Sequence, residues 1–188
     1  MKKAVILLLA LGSIQAQAND SKDVSGFYLG GGIGNTTYSD DDPFTQLDGD
    51  GTTFKLIGGY QFNRIVGVEA QYTDYGDIKL KHTPLDLDVN SVSVAANIGY
   101  TFDNGLRPFA TLGLGYISVD IPEGLGPDED ELLLRVGAGL EYTPHQLSNI
   151  TFRAAYEMDH FNVDSTRSSK DTDIQIGSFY AGATYKFY

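Results

Sequence analysis

A chain of 188 residues supports one domain with a sizeable core and is too short for two ordinary ones. With 25 acidic against 13 basic residues, a formal net charge of −12, it lacks the basic footprint of a nucleic-acid binder. It has no cysteine, so a disulfide framework is excluded, and its 12 tyrosines, 10 phenylalanines and 22 glycines give a β-rich profile.

Residues 1–18 read as a secretory signal peptide. Lys2 and Lys3 supply the positive start, Ala4 to Leu11 an apolar run, and Ala16-Gln17-Ala18 a small-residue cleavage site. A run of eight apolar residues is far shorter than the roughly 20 a spanning helix needs. The mature chain, 19–188, is expected to begin near Asn19. It loses only Lys2 and Lys3, which leaves 11 basic against 25 acidic residues, a net charge of −14. No cysteine follows the cleavage site, so lipid attachment there has no acceptor.

Beyond the signal, no stretch of 18 apolar residues occurs, which excludes a helical membrane protein. Period-2 alternation recurs instead. It predicts strands at about Gly26 to Tyr38, Thr52 to Phe62, Ile65 to Tyr75, Val89 to Phe102, Leu106 to Val119, Glu131 to Tyr142, Asn149 to Phe161 and Asp173 to Tyr188. The connections alternate between tight, as at Asn63-Arg64 and Asp103-Asn104-Gly105, and long, as at Ser39 to Gly51 and Asn162 to Thr172. That rhythm belongs to an up-and-down barrel, and an even number of strands puts both termini on the short-turn, periplasmic side. Gly30 to Gly34 put small residues on both faces of the first strand, and no helix follows them, so a phosphate cradle is excluded.

One face of each later strand is free of charge. It runs Phe54, Leu56, Gly58, Tyr60, Phe62 on the second strand, Val92, Val94, Ala96, Ile98, Tyr100, Phe102 on the fourth, and Leu132, Leu134, Val136, Ala138, Leu140, Tyr142 on the sixth. The opposite face carries Lys55, Glu69, Gln71, Asn97, Arg135, Glu141, Arg153, Glu157, Asp159 and Lys186, and must be enclosed or wet. A soluble sandwich also alternates, so aromatic placement decides between the two. Tyr60, Phe62, Tyr100, Phe102, Tyr142, Tyr185 and Phe187 fall beside the short turns, while Tyr38, Tyr72, Tyr116, Tyr156 and Phe161 fall near the long loops. Two aromatic girdles around an apolar zone predict an all-β, eight-stranded antiparallel transmembrane β-barrel in the outer membrane of a Gram-negative bacterium.

The segment Tyr180-Ala181-Gly182-Ala183-Thr184-Tyr185-Lys186-Phe187 resembles the C-terminal signal that outer-membrane barrels present to their assembly machinery. Gly182, Tyr185 and Phe187 are its expected elements. Gly58-Gly59-Tyr60-Gln61-Phe62-Asn63, Val66-Gly67-Val68-Glu69, Asn97-Ile98-Gly99-Tyr100 and Gly137-Ala138-Gly139-Leu140-Glu141-Tyr142 resemble segments of OmpA-type transmembrane domains and their small porin-family relatives. The resemblance covers Gly26 to Tyr188, and it implies an interior ion-pair network to which Glu69, Glu141 and Arg153 belong.

An eight-stranded barrel is just wide enough for its side chains to fill, so a plug is expected before a pore. The expected network is Lys55, Glu69, Arg135, Glu141, Arg153, Glu157 and Lys186. Catalysis is not expected. His145 lies in a turn, His82 in the second long loop, and His160 near the outer rim without an adjacent serine; no Gly-x-Ser-x-Gly elbow occurs. The acidic runs Asp40 to Asp42, Asp48 with Asp50, and Asp128 to Glu131 with Glu123 lack EF-hand spacing and read as solvated surface rather than as a divalent-cation site. Ile78, Leu80, Leu85 and Leu87 continue the alternation on both sides of Thr83-Pro84, which predicts a projecting hairpin with an edge open to a partner.

The expected role is structural or surface-interactive, through the extracellular loops. A narrow or gated porin is the alternative; a soluble lipocalin-like binder would carry an early Gly-x-Trp motif, and this sequence has no tryptophan. Expected partners are outer-membrane lipid and lipopolysaccharide, the barrel assembly machinery and an extracellular ligand, with neither nucleic acid nor cofactor.

Overall fold

Strict alternation lets one strand face two different solvents, and here it inverts the usual arrangement. The computed structural model describes residues 24–39, 51–79, 86–120, 129–163 and 172–187. Its strands are β1 (Gly26–Ser39), β2 (Thr52–Gln61), β3 (Val66–Lys79), β4 (Asp86–Gly99), β5 (Leu106–Asp120), β6 (Glu129–Tyr142), β7 (Ile150–Val163) and β8 (Thr172–Phe187). Each pairs antiparallel with its sequence neighbours, and β1 pairs with β8 to close the barrel.

On β4 the inward Ser91, Ser93 and Asn97 are at most 1% exposed, whereas the outward Val92, Val94 and Ile98 are more than half exposed. The outward residues are those of the charge-free face. Water-facing apolar surface of this extent would be unstable, so lipid must cover it. Along β6 the run from Leu132 to Tyr142 spans about 33 Å of strand. At a tilt of about 40° that is about 25 Å of height, which matches the apolar band of an outer-membrane barrel.

The short-turn end is tightly laced. Gly99 N donates to Ile65 O (2.8 Å) and Thr101 N to Arg64 O (3.0 Å), while Arg64 pairs with Asp103 (3.0 Å). Thr143 N donates to Gly105 O (2.9 Å), where Gly105 takes φ 84° and leaves no room for a side chain against the Thr143 carbonyl. A 3-10 turn, His145–Leu147, forms part of the third short connection.

Most strand ends shift by one or two residues from the sequence reading, and the ends of β2, β3 and β4 shift for a visible reason. β2 ends at Gln61 and β4 at Gly99, because Phe62, Tyr100 and Phe102 bond within or across the turns rather than in a ladder. β3 does not stop at Tyr75. It continues to Lys79 against β4 from Asp86, with a register shift between Asp74 and Asp77 in which Gly76 adopts φ 70°. Backbone pairing of Ile78 with Leu87 therefore extends the hairpin beyond the apolar band. The signal segment, His82, Thr83-Pro84, Tyr188 and the acidic residues Asp40 to Asp42, Asp48, Asp50, Glu123 and Asp128 lie outside the described residues.

Candidate functional site: the barrel interior

The inward positions of β3 are Glu69, Gln71, Thr73 and Tyr75, an unbroken polar row that forms one wall of the lumen. Facing strands supply the counter-charges, and the contacts fall into two clusters.

The cluster nearer the short turns centres on Arg153. Its Nη2 and Nη1 donate to Glu69 Oε1 and Oε2 at 2.5 and 3.1 Å, and its Nε donates to Glu141 Oε1 at 2.8 Å. Arg153 Nη2 also pairs with Glu141. Glu141 Oε2 accepts from Arg107 Nη1 at 2.9 Å, and Arg107 reaches Asn97 Oδ1 at 2.7 Å. Glu69 further accepts from Tyr28 Oη (2.7 Å), Asn97 Nδ2 (2.7 Å) and Gln71 Nε2 (2.8 Å). The Arg153 guanidinium lies 4.7 Å from the centroid of the Phe109 ring.

The second cluster centres on Arg135. Its Nε and Nη2 grip Asp159 in a bidentate pair, both at 2.6 Å, while Nη1 donates to Gln71 Oε1 (2.9 Å) and Ser93 Oγ (2.7 Å). Tyr75 Oη donates to Asp159 Oδ2 at 2.5 Å. Beside it, Lys55 Nζ donates to Glu157 Oε2 (2.7 Å) and Thr73 Oγ1 (3.0 Å), over the Tyr180 ring at 4.9 Å.

Among the described residues, the buried charges are four cations, Lys55, Arg107, Arg135 and Arg153, and four carboxylates, Glu69, Glu141, Glu157 and Asp159. Lone charges in such a space would be prohibitive, whereas a balanced set with every carboxylate bonded is tolerated. Lys55, Glu69, Arg135 and Asp159 are 0% exposed, so solvent does not reach the middle of the lumen.

Glycines make room for these side chains. A Cβ on Gly137 would sit 2.5 Å from Glu157 Cγ and 2.7 Å from Thr111 Oγ1. Small and large inward residues thus alternate around the wall.

Six of the seven residues expected in the network, Lys55, Glu69, Arg135, Glu141, Arg153 and Glu157, are brought together. Lys186 is not among them. It sits at the end of β8, where its Nζ donates to the Val24 carbonyl at 2.9 Å. Arg107, Asp159 and the hydroxyls of Tyr28 and Tyr75 complete the set. Arg107 shares the inward parity of Phe109 and Thr111 on β5, which was the signal available for it.

The residues of the C-terminal segment take separate places. Gly182 opposes Gly32 of β1, where a Cβ would meet the Gly31 carbonyl at 2.3 Å, so the closing seam requires a bare backbone there. Tyr185 and Phe187 point outward, edge to face at 5.0 Å, and Phe187 opposes Phe27, which packs on Tyr60. Among the described residues no group of three or more His, Asp or Glu stands ready to hold a metal. His145 and His160 lie at opposite ends of the barrel.

A closed eight-stranded barrel with lipid-facing girdles and a polar lumen fits the family comparison. A family model described as an outer membrane protein beta-barrel domain matches residues 4–187. The chain belongs to that family.

Outer-membrane barrels are also what the chain resembles in three dimensions. Neisserial surface protein A is 21% identical, with a TM-score of 0.66 over 87% of this chain and 98% of that one. Ail, the attachment invasion locus protein of Yersinia pestis, is 25% identical, with a TM-score of 0.57 over 86% and 99%. OprG of Pseudomonas aeruginosa is 16% identical, with a TM-score of 0.54 over 87% and 96%. No curated protein matches the chain. Family and fold together locate the protein in the Gram-negative outer membrane.

Proposed function

We propose that this protein is a closed outer-membrane barrel whose role is structural or surface-interactive, maintaining the membrane or binding a ligand through the loops at the long-connection end. The observation that carries the reading is the charge-balanced interior, in which Arg153, Glu69 and Glu141 join residues of β3, β6 and β7 across the lumen. Such a network holds the wall in register and leaves no continuous water path. The 25% identity with Ail, named for attachment and invasion, supports contact at the cell surface.

Residues 1–18 serve export as a cleaved signal peptide, and Gly182, Tyr185 and Phe187 present the last strand to the assembly machinery. Lipid and lipopolysaccharide cover the apolar belt. Catalysis has no part in this reading.

A strain lacking the protein, complemented with the full chain or with a variant whose segments 40–50 and 164–171 are replaced by short turns, tests it. Both complements are expected to restore resistance to detergent, and only the full chain to restore adherence to host cells or matrix. A loop-shortened variant that matches the full chain in adherence, together with a deletion strain of unaltered detergent resistance, would contradict the proposal.

A further inference from the structure

A transmembrane barrel of this kind is apolar outside and polar inside along the whole strand. At the long-connection end, this one departs from the rule. Each of β3 to β8 places an apolar or aromatic residue at the next inward position beyond the polar network: Tyr75 after Thr73, Val89 before Ser91, Ile117 after Gly115, Leu133 before Arg135, Phe161 after Asp159, and Ile176 before Ser178. On β6 the result is Leu132-Leu133-Leu134, apolar on both faces. All six residues are at most 5% exposed, and Leu133 and Phe161 stand directly opposite each other.

The two remaining strands close the same layer by a different means. Thr36 of β1 and Thr53 of β2 bond hydroxyl to hydroxyl at 2.6 Å, and Thr36 Oγ1 donates to the Tyr75 carbonyl at 3.0 Å. Their polar atoms are spent within the wall, and their methyl groups are what remains for the layer. Both residues are at most 2% exposed. This layer is distinct from the apolar cluster of Tyr28, Ile57, Phe109, Ala155 and Tyr180, which lies among the ion pairs and packs against them.

We infer that these eight positions form an apolar ring that seals the lumen against water at its outer end, independently of the ion-pair network beneath. An apolar constriction excludes water because no lining group repays a water molecule for its lost hydrogen bonds. The ring also keeps solvent away from Arg135 and Asp159, which tightens that bidentate pair by lowering the local dielectric. Tyr75 belongs to both layers, its ring in the seal and its hydroxyl on Asp159.

The chain has no cysteine, so a single introduced thiol reports water access cleanly. Ser178 is the position for it: 0% exposed, next inward-facing after Ile176, and with its Oγ making no hydrogen bond among the described residues. Ser178→Cys is placed in the full chain, in intact cells, and treated from outside with a charged, membrane-impermeant methanethiosulfonate. The thiol is expected to stay unlabelled in the otherwise unaltered barrel. It should remain so when Arg135→Met breaks the network alone, and label on the order of tenfold faster or more when Ile117→Ser and Leu133→Ser breach the ring. Heat-modifiable migration checks that each variant is folded. Should the double variant not fold, Ile117→Ala and Leu133→Ala are read singly in the same way. Labelling of the intact barrel at the rate of an exposed control cysteine overturns the inference. So does labelling in Arg135→Met with continued protection in the ring variants, which would make the network the barrier.

Discussion

Gln71 Nε2 donates to Glu69 Oε2 at 2.8 Å, two residues along the same strand, and that bond joins the two halves of the interior. The same nitrogen reaches Glu157 at 3.3 Å, and Gln71 Oε1 accepts from Arg135 at 2.9 Å. The network therefore runs unbroken from Arg107 near the short turns to Tyr75 near the long loops. Arg153 and Arg135, which do not touch, should show coupling of about 0.5–3 kcal/mol in a double-mutant cycle, falling to within about 0.5 kcal/mol in a Gln71→Leu background. Urea unfolding in lipid vesicles measures it, and equal coupling in both backgrounds would remove Gln71 from that role.

Arg153 compensates two carboxylates at once, Glu69 and Glu141. Arg153→Ala leaves the fully buried Glu69 with no cation and Glu141 with Arg107 alone, and stability should fall by about 3–5 kcal/mol. The temperature at which the protein loses its folded gel mobility reads this directly.

Gly137 lies on the inward face against Glu157 and Thr111. Ion pairing holds Glu157, so the neighbour cannot swing away from a new methyl group. Gly137→Ala is expected to destabilise by about 1–3 kcal/mol through overpacking. Urea unfolding again provides the number, and a neutral result would mean that the wall adjusts there.

The wall was more legible in the sequence than the lumen. Alternation marks Val92 and Val94 as outward whatever their neighbours, because period 2 is a local property of the strand. The network depends on which residues meet across the barrel, and parity alone does not supply that height. Lys186 and Arg153 have the same inward parity and the same sign, yet Arg153 meets Glu69 whereas Lys186 meets the Val24 carbonyl. Arg107 is the converse case: it stands beside the Asp103-Asn104-Gly105 turn, yet its long side chain reaches Asn97 and Glu141. The apolar ring escaped notice because inward Leu133 and Ile176 break the polar-inside pattern and resemble ordinary strand residues. The bulge at Gly76 hid the length of β3, since a glycine before an aspartate reads as a turn.

Val94 is 58% exposed near the middle of the outward band. Val94→Arg should cost about 2–4 kcal/mol in lipid vesicles, as a cation at the bilayer midplane does. An exposed strand residue in a soluble protein would tolerate the same change within about 0.5 kcal/mol. Urea unfolding separates the two outcomes.

Conductance of the refolded protein in planar bilayers decides whether the interior is closed. The paired charges and the apolar ring predict no stable open channel from the unaltered chain. A steady, long-lived open state would mean that the lumen is open and that the protein is a porin.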